Sequence, residues 1–418
     1  MKVKRLTMQA FRGIDDLTLE FHPNVTVLVG VNGVGKSSIL DCLTSLLATW
    51  IDTVFEKKDR ELHFQSREDV KRGSYEFYLK VKLLLDSFEA TFTTKALVED
   101  DQFSLTYDPR TKADLSFKQI RDLLIRKQKN TPLVICYSVN RKFADEDRTR
   151  NTYVLDSGDR NYKSYGKGRT DFEDFLSWFK YHEDHEYEVK VNEDYEYRNI
   201  QLEAVRESIS EFLPGFSNLR VRRQPQIRMT VEKQGQELIV NQLSDGEKCL
   251  LAMVGDIARR LAIANPGLPD PLQGEGIVLI DEIELHLHPQ WQRGILPKLT
   301  KTFPNCQFIV TTHSPQVISD VQPESVIILE SEDGKIVTKH PQSSFGRDSN
   351  QILEDLMDTP QRREDIQDKI QQLFRLIAES QLVEAKALQE EIAEEIGADE
   401  PELVGARAAI RRREILGK

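Results

Sequence analysis

Residues 25–41 read VTVLVGVNGVGKSSILD, and this stretch decides the fold. Val25 to Val29 is an apolar run too short for a helix. Gly30 ends it, and from about Lys36 the residues Ile39, Leu40, Leu43, Leu46 and Leu47 fall at helical spacing. Between these two elements Gly30, Val31, Asn32, Gly33, Val34, Gly35, Lys36 and Ser37 spell GxxxxGKS, so the segment reads strand, glycine loop, helix. That order has a chemical use. Glycines let backbone N–H groups wrap phosphates, Lys36 reaches the β and γ phosphates, and Ser37 at a helix N-terminus can ligate magnesium. ATP and Mg2+ are therefore the expected ligands, and Ser38 and Arg12 complete the set expected to bind the nucleotide.

Working outward, Leu17, Leu19 and Phe21 alternate with Thr18 and Glu20 behind a turn at Arg12 and Gly13, which predicts a hairpin feeding the buried strand. Tyr75 to Leu85 and Phe88 to Thr93 predict an antiparallel pair, and Leu133 to Tyr137 another buried strand. Residues 1–140 form a first lobe on this basis. From Arg141 to Asp171 the pattern is charged, rich in Gly and Ser, and without apolar period, so a long loop is expected. Phe172, Phe175, Trp178 and Phe179 then lie on one helical face and are expected to be core. The acidic run with His182 and His185 is expected to be a solvated helix end; a metal pair is the less favoured alternative. These features fill an inserted segment, residues 141–215.

Regular structure resumes in residues 216–345, with a strand pair at Arg220 to Thr230 and Glu237 to Val240, and parallel-type strands at Ile277 to Ile280 and Gln307 to Thr311. Residues 346–418 change character again. Ile366, Ile370, Leu373, Phe374 and Ile377 make one amphipathic face, Leu388, Ile392 and Ile396 another, and Gly397 and Pro401 mark the join to a third helix.

The 418 residues carry 57 basic and 69 acidic side chains, a net charge of -12, and about half of it falls in the last segment. A protein whose whole surface grips nucleic acid is not expected, although a local basic groove remains open. The four cysteines, Cys42, Cys136, Cys249 and Cys306, stand apart inside apolar runs and are expected to be buried hydrophobes. The N-terminus alternates like a strand and no apolar run reaches membrane length, which predicts a cytoplasmic protein.

Three more motifs bear on chemistry. In GIVLIDEIELHLHP, residues 276–289, a buried strand ends in Asp281 and Glu282. Asp281 is expected in the magnesium shell and Glu282 beside the attacking water as general base. NQLSDGE, residues 241–247, precedes a helix and is close to the LSGGQ signature of ABC-type ATPases. The Ser244 hydroxyl and the Gly246 N–H suit a γ-phosphate at a helix N-terminus. The resemblance implies that Ser244, Asp245, Gly246 and Glu247 act on the nucleotide of the opposite subunit, hence a dimer. FIVTTHSP, residues 308–315, puts His313 at a strand end, where an imidazole can hydrogen-bond the γ-phosphate.

Together with LTMQAFRGIDDLTLEFHPNVTVLVGVNGVGKSSILD, LPGFSNLRVRR and FPNCQFIVTTHSPQV, these motifs resemble the RecF/SMC-type, ABC-class AAA-family ATPases, and within them the PtuA branch of Septu and related retron anti-phage systems. The resemblance covers most of the chain. It implies an α/β, two-lobed P-loop ATPase head with an inserted helical segment and a C-terminal helical tail, forming a homodimer or higher even-numbered oligomer. Gly30 to Ser37 would bind ATP, Lys36, Glu282 and His313 would act in catalysis, and His288 would lie in the loop facing the opposite subunit. It further implies that a separate HNH nuclease (PtuB-like) does the cutting, since no Toprim or HNH cluster is visible here. SMC-type heads carry a glutamine after the first lobe; CYSVNRKF has none, and Asn140 and Arg141 are the candidate substitutes.

The alternative is a RecF/SMC-like DNA-repair ATPase that grips DNA directly. Arg220, Arg222, Arg223 and Arg228 would line its groove, together with a loop set of Arg148, Arg150, Arg160, Lys163, Lys167 and Arg169.

Overall fold

The computed structural model describes residues 1–54, 66–85, 88–99, 102–111, 119–120, 133–139, 172–357 and 362–416. They group into two compact units, Met1–Ser349 and Asn350–Lys418.

In the first unit, β1 (Lys2–Phe11) and β2 (Ile14–Glu20) form the opening hairpin, and β3 (Val25–Gly30) runs into α1 (Lys36–Val54). β4 (Glu76–Leu85), β5 (Phe88–Glu99) and β6 (Gln102–Thr111) follow, then β7 (Leu133–Tyr137). β1, β2, β4, β5 and β6 make an antiparallel sheet ordered β2-β1-β4-β5-β6. Phe77, Leu79, Val81, Leu83 and Leu85 of β4 alternate inward against Trp50 and the leucines of α1, the pattern of a sheet with one face on the core.

α2 (Phe172–Asn192) and α3 (Ile200–Phe212) lead to the small antiparallel sheet of β8 (Phe216–Arg222), β9 (Arg228–Lys233) and β10 (Gln236–Ile239). The expected single strand from Arg220 to Thr230 is not formed. The chain turns back between Arg222 and Arg228, which face each other in register. Pro225 lies in that turn, and proline has no N–H for an interior ladder. The acidic run of α2 is not a solvated helix end either. Glu186 is 3% exposed and accepts from Arg206 Nη1 at 3.0 Å and Lys190 Nζ at 3.1 Å. Phe175 and Phe179 are buried on the same helix, as the helical spacing predicts.

α4 (Asp245–Ala264) and β11 (Gly276–Ile280) come next, then α5 (Pro289–Gln292), α6 (Ile295–Thr302), β12 (Cys306–Thr311), α7 (Pro315–Ile318), β13 (Val326–Glu332) and β14 (Lys335–Lys339). The second large sheet has the order β14-β13-β3-β12-β11-β7, parallel except for the β13–β14 edge. β3, β11 and β12 are buried along their whole length, which is why they read as largely apolar runs, interrupted by the buried polar Thr26 in β3 and Gln307 and Thr311 in β12. This sheet takes strands from both sides of the 141–171 stretch, and its carboxyl ends gather the motif residues. Of the cysteines, Cys42 and Cys306 are buried, whereas Cys136 and Cys249 are only partly so.

In the second unit, α8 (Ser349–Met357) is followed by α9 (Glu364–Ala378), α10 (Leu382–Ile396) and α11 (Pro401–Leu416). Ile366, Ile370, Leu373 and Ile377 pack against Ala385, Ile392, Leu403, Ala406 and Ile410. Phe374, expected on that face, is 41% exposed, because it sits one position past Leu373 and turns about 100° away. Among the described residues no helix is long and apolar enough to cross a membrane.

Candidate nucleotide site

The glycine loop sits where β3 meets α1, and Gly30 has no room for a side chain. A Cβ there would stand 2.4 Å from the Leu329 carbonyl oxygen and 3.0 Å from Val34 Cγ1, and its φ is +153°. Val34 is buried beneath the loop, whereas Val31, Asn32, Gly33 and Ser37 lie open and Ser38 is half-buried. Lys36 folds back over the loop, its Nζ donating to the Gly30 and Val31 carbonyls at 2.8 and 3.0 Å. Burial lowers the Lys36 pKa below its ordinary value, partly offset by Asp281, Glu282 and Glu284. A lysine so placed gains from a polyanion, which would stabilise the ammonium against the loss of solvation that burial causes.

The strand after the signature helix places the carboxylates. At the end of β11 the Asp281 N–H donates to the Tyr137 carbonyl at 2.8 Å, fixing its backbone, and Thr311 Oγ1 donates to Asp281 Oδ1 at 2.6 Å. The Glu282 N–H donates to the same Thr311 hydroxyl at 2.7 Å. Glu282 has φ +47°, an unusual conformation for glutamate that cross-strand bonds to β12 sustain. Glu284 accepts from Thr312 Oγ1 at 2.7 Å and from the His313 N–H. Burial lowers the His313 pKa, Lys36 adds to this, and Glu284, Glu282 and Asp281 partly offset it. The balance favours the neutral imidazole, a form with one N–H to donate. Ser37, Asp281 and the loop offer the hard oxygen donors that magnesium takes, so the donor set fits a magnesium nucleotide.

The signature forms the N-terminus of α4. Ser244 is its N-cap: the hydroxyl accepts from the Glu247 N–H and donates to Glu247 Oε2 at 2.9 Å, and Lys233 Nζ holds the other Glu247 oxygen at 2.7 Å. Glu247 thus braces the cap. Asp245 is exposed and paired with Lys248 at 2.8 Å. Gly246 packs against the main chain of His286, and Ser244, Asp245, His286 and His288 are all exposed there. His288 caps α5, with Nδ1 accepting from the Gln290 N–H at 3.3 Å. The signature and the HLHP loop thus share one open surface.

Other expected residues fall elsewhere. Arg12 is engaged by Asp69 at 2.8 Å and Asp41 at 2.7 Å, beside α1. Asn140 and Arg141 lie outside the described residues, as does the loop set from Arg148 to Arg169. The arginines of the alternative groove are largely committed: Arg222 makes a two-pronged pair with Glu237 at 2.6 Å, and Arg223 pairs with Glu183 and Asp184. No metal-ligating cluster is found at His182 among the described residues; that ring lies over Trp178, 4.6 Å between centroids. Sequence reasoning gave no role to Glu284, Thr311 or Thr312. Two threonines at and just past the end of the largely apolar β12 were the available signal, since Thr311 and Thr312 are both fully buried.

The fold and the site define a P-loop ATPase of the AAA class. The family described as "AAA domain, putative AbiEii toxin, Type IV TA system" matches residues 25–319, from β3 past His313, and the chain belongs to it. A Retron Ec83 probable ATPase from Escherichia coli is 30% identical, over 99% of this chain and 87% of its own length. A Retron Vc95 probable ATPase from Vibrio cholerae serotype O1 biovar El Tor is 32% identical, over 79% and 74%. Septu protein PtuA from Bacillus thuringiensis is 23% identical, over 86% and 85%.

Proposed function

We propose that this protein is the ATP-hydrolysing regulatory subunit of an anti-phage defence complex, that two copies close head to tail over two ATP molecules, and that nucleotide state controls a separate HNH nuclease. The observation that carries the closure is the shared open surface of Ser244, Asp245, His286 and His288, joined where Gly246 meets His286. Glu247, held by Lys233, fixes the backbone of the signature, and the Ser244 hydroxyl would turn from Glu247 to donate to a phosphate. The defence role rests on the retron and Septu names of the relatives.

In this reading Gly30 to Ser37 hold the triphosphate, and Ser37 and Asp281 hold magnesium, which when bound neutralises charge on the β and γ oxygens. Lys36 turns from the loop carbonyls to the phosphates. Glu282 orients and deprotonates the attacking water, and neutral His313 donates to the γ-phosphate.

The test is mass in solution with and without ATP. Glu282→Gln should bind ATP, hydrolyse it at least about 100-fold more slowly and accumulate as a dimer, while Lys36→Ala should stay monomeric. Hydrolysis by Glu282→Gln at the wild-type rate would remove it as the base. Co-purification with an HNH protein encoded beside this chain tests the partner.

A further inference from the structure

From the geometry of the loop that leaves β11, we infer that Glu284 is a positioning residue: a two-pronged carboxylate clasp that sets the main chain carrying His313 for ATP hydrolysis. The inference rests on the proposed role of His313 at the γ-phosphate. Nothing in the sequence pattern distinguishes Glu284 from a solvated acid two residues beyond the general base.

The clasp is built from both sides. Glu282, in its left-handed conformation, turns the chain so that Ile283 is buried, 1% exposed, with its N–H donating to the Thr311 carbonyl at 3.0 Å. That brings Glu284 across to the end of β12. One carboxylate oxygen accepts from the Thr312 hydroxyl and the other from the His313 N–H. Thr312 then accepts from the Ser314 N–H at 3.0 Å, so the turn through Thr312, His313 and Ser314 is tied to one side chain. A second tie runs parallel: Ser314 Oγ donates to Gln292 Oε1 at 2.7 Å, and Gln292 Nε2 donates to the Leu287 carbonyl at 2.9 Å.

An imidazole on an otherwise free strand end would sample several orientations. With both oxygens of Glu284 occupied by donors of this turn, its backbone is fixed and only the His313 side-chain torsions remain. Alanine removes both acceptors and leaves the buried Thr312 hydroxyl without its partner. Glutamine keeps one acceptor but turns an amide N–H toward a donor. Valine at Thr312 keeps the shape and removes the hydroxyl that donates to Glu284 and accepts from the Ser314 N–H, while the His313 N–H keeps its bond to Glu284.

The experiment is steady-state ATPase kinetics on the full chain with magnesium and ATP, comparing Glu284→Ala, Glu284→Gln, Thr312→Val, His313→Ala and the double variants with His313→Ala. A misplacement of the order of 1 Å at a reacting group costs about 100-fold, so Glu284→Ala should lower kcat about 10- to 100-fold while KM moves less than about twofold. Thr312→Val should lose less, about 3- to 10-fold, and Glu284→Gln should fall between them. In the His313→Ala background none of the three should lower kcat by more than about twofold further, because the group they position is gone. Losses that multiply with that of His313→Ala would overturn the clasp. If His313→Ala alone leaves kcat unchanged, the role of His313 fails and the clasp with it. If His313→Ala is slow but Glu284→Ala and Thr312→Val are both at the wild-type rate, the role of His313 stands and the clasp alone fails. Should Glu284→Ala not fold, Thr312→Val and its double variant decide the matter.

Discussion

The Cα of Gly246 lies against the main-chain carbonyl of His286, so that a Cβ at residue 246 would stand 2.9 Å from that oxygen. The signature and the loop beyond Glu282 thus meet through backbone, where neither can yield by a rotamer change. Gly246→Ala should force them apart at a cost of about 1–3 kcal/mol. In the proposed head-to-tail closure, the expected outcome is an ATPase rate at least about tenfold lower with ATP affinity within about twofold of wild type. Titration calorimetry and steady-state rates check both halves.

Tyr137 and Asp256 connect the end of β7 to the signature helix. The Tyr137 hydroxyl donates to Asp256 at 2.9 Å, and Arg259 and Arg260 each pair with that carboxylate at 2.7 Å. Burial works against the Asp256 charge, but the two arginines hold its pKa down at about 2. Asp256→Asn removes the buried carboxylate that both arginines share and should cost about 3–5 kcal/mol. Tyr137→Phe removes a single charge-assisted bond, worth about 1.5–3 kcal/mol. Denaturant midpoints should rank the two in that order.

His182 predicts a pH dependence. Burial beside Trp178, with His185 nearby, lowers its pKa from 6.5 to about 4. Between those values the unfolded chain binds a proton at this ring that the folded chain does not, so stability falls as pH falls through that window. Melting temperatures from pH 7 to 4.5 should decline less steeply for His182→Gln than for wild type. Parallel declines would show that the carboxylates alone govern acid sensitivity.

Gly30→Ala should damage the site through shape alone. Its Cβ would press on the Leu329 carbonyl at 2.4 Å, and the positive φ adds strain. We expect ATP affinity to fall at least about tenfold, with a lowered melting temperature. The readout is titration of wild type and variant with a fluorescent nucleotide.

What could be read from the sequence was local. Val25 to Ser37 announced strand, loop and helix because each carries its own period, and β7, β11 and β12 announced themselves as short, largely apolar runs. Pairings between distant segments left no such mark. β6 was missed because Asp108 and Pro109 look like a turn; the strand lies at the sheet edge, where a proline is tolerated. The acidic face of α2 looked solvated because Arg206, which neutralises it, arrives from another helix. Glu284 looked idle because its partners lie on β12 and in the turn after it.

β3 lies between β12 and β13, paired to residues such as Val310 and Ile328 that are encoded about 300 residues later. At a ribosome adding about 5–20 residues per second, the octet emerges on the order of 15–60 s before the strands that flank it. For that interval the nascent chain carries the phosphate loop without the sheet that shapes it. Competence to bind nucleotide is therefore expected late in the birth of this protein, and a chain terminated before β12 should not bind ATP.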